Sequence, residues 1–183
     1  MARRALSPDG RVAYVEMSRA EFAKLLDCRP EDLITWAELL PAEDPVEGIY
    51  RFRSQEALRL ARQRAAVLRT RMSLGAVKAI EAEGKLDAYA SLAKDCPAGI
   101  TAHVYRSFLV LVLVQQKTGL MLDAEGLALR ANLLEMDPET SEPRQSAAMA
   151  RKHLRLLQAV GLLRAGEGRW EFSRLPSCLT RSG

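Results

Sequence analysis

Seven consecutive apolar residues, Phe108 to Val114, sit inside a segment, Thr101 to Lys117, that holds no proline or glycine. A stretch of that length without a breaker predicts one continuous helix. A buried strand is the alternative, because valine is abundant in the run. The run is apolar on every side of a helix, so the helix has to be buried on most of its faces. It is far shorter than the roughly 20 residues a membrane crossing needs. The chain must therefore build its own core around it, and no membrane association is expected. Its 183 residues, 48% of them apolar, suffice for two compact domains of roughly 80 residues each. The opening MARRALSPDG carries basic residues with no apolar stretch behind them, which is not the pattern of a secretory signal.

Little in the chain points to catalysis. The three cysteines, Cys28, Cys96 and Cys178, are far apart, and no Cys-x-x-Cys occurs. The two histidines, His103 and His153, lie in no His-Glu-x-x-His pattern. A disulfide framework, a zinc cage or a histidine-based hydrolytic centre is therefore not expected, and a reducing cytoplasm fits best. No glycine-rich phosphate loop is present either. The expectation is a protein that is not an enzyme and uses no metal or cofactor. His103 reads as a helix residue with a satisfied side chain.

Charge says more. A net charge of +4 and a pI of about 9.1 lean mildly toward polyanions. Acid is concentrated early, in Glu31, Asp32, Glu38, Glu43, Asp44 and Glu47. Arg51, Arg53, Arg59, Arg62, Arg64, Arg69 and Arg71 then face only Glu56, and a later stretch with Arg144, Arg151, Lys152 and Arg155 contains no acid. Either stretch alone reads equally well as a solvated helix face. Each stands beside a β-hairpin signal, and that coincidence shifts the balance toward nucleic acid.

In the first half, Ser18-Arg19-Ala20-Glu21 has capping-box spacing, and Phe22, Leu25 and Leu26 make the apolar stripe of a short helix. Pro30 opens a second helix on Leu33, Trp36, Ala37 and Leu40, which Pro41 ends. An acidic loop over 42–48 leads to a strand, Ile49-Tyr50-Arg51-Phe52-Arg53. Ser54 then caps a helix to about Thr70, burying Ala57, Leu58, Ala61, Ala65 and Leu68. Ser73 caps another short helix, with Leu74, Val77 and Ile80 on one face and Gly84 at its end. The order Ala20–Leu26, Arg29-Pro30-Glu31-Asp32-Leu33, Gly48-Ile49-Tyr50-Arg51-Phe52, Ser54-Gln55-Glu56 and Met72-Ser73-Leu74 resembles the DNA-binding domain of the MerR family over about residues 18–81. The resemblance implies a helix-turn-helix and a wing that contacts DNA through Arg51 and Tyr50, with Arg53 beside them. The family usually places basic residues on the second helix, whereas Glu31, Asp32 and Ile34 stand here. Contacts are therefore expected from the wing and the basic helix face, because a carboxylate is repelled by phosphate.

Residues 84–100 read as a connector, with a short helix over Leu86–Lys94 and a breaker cluster at Asp95-Cys96-Pro97-Ala98-Gly99. After the long helix, Asp123 caps a helix expected to reach Met136 with Leu127, Ala131 and Leu134 inward. A polar loop over 137–143 follows, then a third helix from about Arg144 to Val160. Leu162-Leu163-Arg164, the turn at Ala165-Gly166-Glu167-Gly168 and Arg169-Trp170-Glu171-Phe172 read as a hairpin, with Trp170 and Phe172 in its core. Three helices and a hairpin over 101–174 resemble the winged-helix domains of bacterial regulators and plasmid replication initiators. The resemblance implies a recognition helix in the major groove, placing Arg144, Gln145, Ser146, Arg151, Lys152 and Arg155, together with Arg169, at the DNA.

The fold class expected is thus mainly α with small β-hairpins, as two tandem winged-helix domains over 1–83 and 101–175 and a flexible tail at 176–183. The function expected is a nucleoid-associated, sequence-specific transcription regulator that binds double-stranded DNA. Alternatives are a plasmid or phage replication or partition factor, and a protein–protein adaptor contacting RNA polymerase. A homodimer is also expected, because so small a domain leaves part of Phe108–Val114 uncovered.

Overall fold

The structure, a computed structural model, describes residues 3–6, 12–36, 48–52, 54–176 and 179, without the side chains of 3–6, 12–14 and 51. The chain divides into two compact units, 1–94 and 95–183, and the break lies within the segment read as a connector. Among the described residues the fold is mainly helical with small antiparallel sheets.

The first unit begins with β1 (Arg3–Leu6) and β2 (Val12–Ser18), two strands the sequence reading missed. They join β3 (Ile49–Phe52) in an antiparallel sheet of order β1-β2-β3. The expected strand at 49–53 is thus present, but its partner precedes the first helix. Ser18 caps α1 (Arg19–Leu26), and the Glu21 carboxylate accepts from the Ser18 backbone N–H at 3.0 Å, so the capping box closes. Asp27, in the left-handed conformation, ends the helix.

The expected second helix shortens to α2 (Asp32–Thr35), with Leu33 fully buried. Its continuation through Ala37, Leu40 and Pro41, and the loop over 42–47, lie outside the described residues. Asp32 holds the turn by accepting from the Arg29 backbone N–H at 3.1 Å and guanidinium at 3.0 Å. The core joins Met17, Phe22, Leu26, Leu33, Phe52, Leu58 and Ala61. Tyr50 belongs to it as well: it is 3% exposed, its ring 4.9 Å from that of Phe22. The wing contact expected of Tyr50 is therefore corrected, since its ring is spent on the core. The Arg51 side chain and Arg53 lie outside the described residues.

Ser54 caps α3 (Gln55–Leu68) and Ser73 caps α4 (Leu74–Ala82), both as expected. The helix α5 (Leu86–Asp95) follows.

The second unit is built on α6 (Ala102–Thr118), capped by Thr101 and stopped by Gly119 at φ +70°. Phe108, Leu111 and Val112 are buried, and the other four residues of the apolar run are half-buried. Their cover includes α7 (Ala124–Arg130), α8 (Ala147–Ala159) and a hairpin of β6 (Leu163–Ala165) and β7 (Trp170–Phe172). None of the seven is exposed, so the motive for a dimer on this run falls away.

Two expectations fail between α7 and α8. The helix from Asp123 stops at Arg130, not Met136, because the chain turns through Asn132 at φ +51°. Leu134, expected inward, is 41% exposed on β4 (Leu134–Met136). The helix expected from Arg144 starts at Ala147, because Arg144 and Gln145 belong to β5 (Pro143–Gln145), which pairs with β4. Ser146 is the cap of α8, accepting from the Met149 N–H at 3.1 Å.

The β6–β7 hairpin is fastened to α6. The Gln115 side-chain oxygen accepts from the Trp170 N–H at 2.8 Å, and its amide donates to the Trp170 carbonyl at 2.7 Å. The Trp170 indole donates to the Leu122 carbonyl at 2.9 Å, and the Phe172 ring meets Phe108 edge-on. Both aromatics serve the hairpin core, as read from the sequence. In the segment expected as a tail, Pro176 is buried and Leu179 packs against the core.

Candidate nucleic-acid interface

The α8 helix has one apolar face, with Ala150, His153 and Leu157 buried, and one solvent face carrying Ala148, Arg151, Lys152, Arg155, Gln158 and Ala159. The spacing of buried residues (three, then four) is the helical repeat that seats α8 on the core. It also forces Arg151 and Arg155, four apart, onto the opposite side. Arg151 reaches Glu125 at 3.3 Å, an exposed pair of little energetic weight. Lys152 and Arg155 make no ion pair among the described residues. Arg164 on β6 and Arg169 in the turn before β7 add exposed positive charge on the hairpin that follows, although Arg164 stands opposite Glu171.

The other three residues expected on this helix do different work. Arg144 donates to Glu135 at 3.2 Å and to Asp137 at 2.8 Å, so its guanidinium holds the β4–β5 hairpin. Ser146, 1% exposed, donates its hydroxyl to Glu135 at 2.6 Å. These bonds hold the Glu135 carboxyl below its ordinary range, the Ser146 hydroxyl contributing most. Gln145 is exposed on β5 opposite Leu134. The start of α8 therefore presents Ala148, Arg151 and Lys152 to solvent in place of Arg144, Gln145 and Ser146.

In the first unit the structure supplies acids that the local sequence lacks. Arg59 pairs with Glu56 at 2.8 Å and lies 3.6 Å from Asp87. Arg64 pairs with Glu81 at 2.7 Å. Arg69 pairs with Asp27 at 2.6 Å and also donates to the carbonyls of Leu26 and Asp27. Arg62 and Arg71 remain exposed without an ion pair among the described residues. The expectation that this stretch faces only Glu56 is corrected.

Sequence reasoning also missed a buried imidazole. His153, on the inner face of α8, hydrogen-bonds the buried Ser107 hydroxyl through Nδ1 at 2.8 Å, with the His103 ring edge-on at 5.0 Å. Burial, with the neighbouring His103 and Lys152, pushes His153 down to about 4. Burial and Arg106 lower His103 as well. Both rings are neutral near pH 7 and add nothing to the positive face. The missed signal was the register Ala150, His153, Leu157.

No family model, curated protein or solved structure matches the chain. The likeness to MerR-type and winged-helix domains accordingly rests on residues and element order alone. Among the described residues no group of three or more histidine, cysteine, aspartate or glutamate side chains could hold a metal ion, and no helix is long and apolar enough to cross a membrane.

Proposed function

We propose that the chain is a sequence-specific DNA-binding regulator whose second unit supplies most of the affinity. The observation that carries this reading is the solvent face of α8, where, among the described residues, Lys152 and Arg155 stand without ion pairs and Arg151 has one exposed partner, followed by a hairpin with Arg164 and Arg169. Such cations neutralise phosphates and release counterions, so affinity falls by roughly 0.9 log units per contact for each tenfold rise in salt. A guanidinium fork is also suited to a guanine edge, worth about 1–3 kcal/mol of discrimination.

Mobility shift of random and selected DNA over a salt series tests the proposal. Arg151→Ala combined with Lys152→Ala weakens binding by more than about tenfold and lowers the salt slope by about two. Unchanged binding by a folded double variant overturns it.

One observation favours the adaptor reading as a second possibility. The β4–β5 hairpin exposes Leu134 and Met136, with the exposed acids Glu139 and Glu142 in the loop between its strands, a mixture suited to a basic protein surface such as one on RNA polymerase and not to phosphate.

A further inference from the structure

The flank of α8 that carries Lys152 also forms one wall of a groove of about 510 Å³, whose opposite wall is the start of α6. Val104, Met149 and Leu156 make its surface apolar, and Thr101, His103, Glu135, Lys152 and His153 supply its polar groups. Those five are not equivalent. The Thr101 hydroxyl caps α6, and His153 bonds Ser107. The oxygens of Glu135 are engaged by Ser146 and Arg144. The His103 ring is held toward its neutral form by burial and by Arg106. Lys152 alone brings a charge with no ion-pair partner among the described residues. A cleft of this size, mostly apolar with a few convergent polar groups, has the make-up of a small-molecule site, and its uncommitted charge is positive.

We propose that this groove binds a small apolar carboxylate. The hydrocarbon body lies against Val104, Met149 and Leu156, and the carboxylate pairs with the Lys152 ammonium beside the His103 imidazole. A cationic ligand fits less well, because the acid at the groove already has its bonds. On the DNA-binding reading of α8, on which this part rests, an occupied groove withdraws Lys152 from phosphate and lowers DNA affinity.

Amide-resolved NMR of the whole chain without DNA, titrated with phenylacetate, phenylacetamide and phenethylamine, tests the site. The expected result is a saturable set of shifts at residues 101–104 and 148–156, with phenylacetate binding about threefold or more tighter than phenylacetamide, the scale of an exposed ion pair. Lys152→Gln abolishes that preference, while Lys24→Gln, in the other unit, keeps it. The site is overturned by an absence of saturable shifts, shifts elsewhere, equal or tighter binding of the amide or amine, or a preference that survives in K152Q.

A second arm adds phenylacetate to the mobility shift. Weakened DNA binding by the unmodified chain but not by Lys152→Gln supports the regulatory half, and unaltered binding at saturating phenylacetate removes it. A chain that binds phenylacetate but no DNA refutes the DNA-binding reading and leaves the groove standing.

Discussion

The helices α3 and α8 look alike as sequence and differ as surfaces. Each carries arginines at helical spacing beside strands, and each reads as a candidate for polyanion contact. In the folded first unit, Arg59, Arg64 and Arg69 are met by Glu56, Asp87, Glu81 and Asp27. In the second, Arg151 has the exposed Glu125, and Lys152 and Arg155 are met by no acid among the described residues. A run of base is therefore not yet a positive surface. What decides is which carboxylates the fold returns to it, and for Arg69, just past the end of α3, the acid comes from 42 residues away.

The comparison can be broken at several points. The largest expected effect is on stability, because both histidines lie in the second unit. His153 titrates near its ordinary 6.5 when unfolded but is held down to about 4 when folded. The unfolded state then binds more protons, so the stability this group contributes is fully present above pH 6.5 and is lost as pH falls through 4. The loss amounts to about 3 kcal/mol. Urea unfolding between about pH 7 and 5, above the carboxylate range, read by probes in each unit, should show a loss in the second unit alone and its reduction in His153→Gln. A parallel loss in the first unit would count against it.

Next in size is DNA affinity. Arg59→Ala with Arg64→Ala should leave it within about twofold, against the more than tenfold expected for the α8 pair. A larger effect of the α3 pair would show that its ion pairs open for DNA.

Stability of the first unit gives the third contrast. Arg64→Ala leaves Glu81, which is 27% exposed, without its partner. It should cost about 1–2 kcal/mol, between the values for exposed and buried pairs, as read by urea unfolding. Smallest is Glu125→Ala, which should change stability by less than about 0.5 kcal/mol and slightly raise DNA affinity by freeing Arg151; a fall in affinity would place Glu125 at the contact.

Local signals were legible and non-local ones were not. Ser18, Ser54, Ser73 and Asp123 announced their helices, because a cap acts on amides two or three residues away. The β6–β7 hairpin was equally readable from its turn. The spacing of Leu127, Ala131 and Leu134 suggested a helix to about Met136, but the left-handed turn at Asn132 leads into a strand, and only the pairing of Glu135 with Arg144 shows why. Likewise nothing near Val12–Ser18 marks its partner, Ile49–Phe52, which lies beyond two helices. For the candidate site, Arg151, Lys152 and Arg155 were read correctly as one exposed face. Arg144 and Ser146 were not, because their hydrogen bonds run to Glu135, on the other strand of a hairpin that the helix reading had absorbed.

The bond between Gln115 and Trp170 has a consequence for how copies of the chain meet. A two-stranded sheet ends in open backbone donors and acceptors, and such edges recruit strands from other molecules. The primary amide of Gln115 presents the same donor and acceptor as a peptide group, and it takes up both the N–H and the carbonyl of Trp170. It acts as a one-residue surrogate strand, so β7 is closed at that position against fibre-like stacking without any extra length of chain.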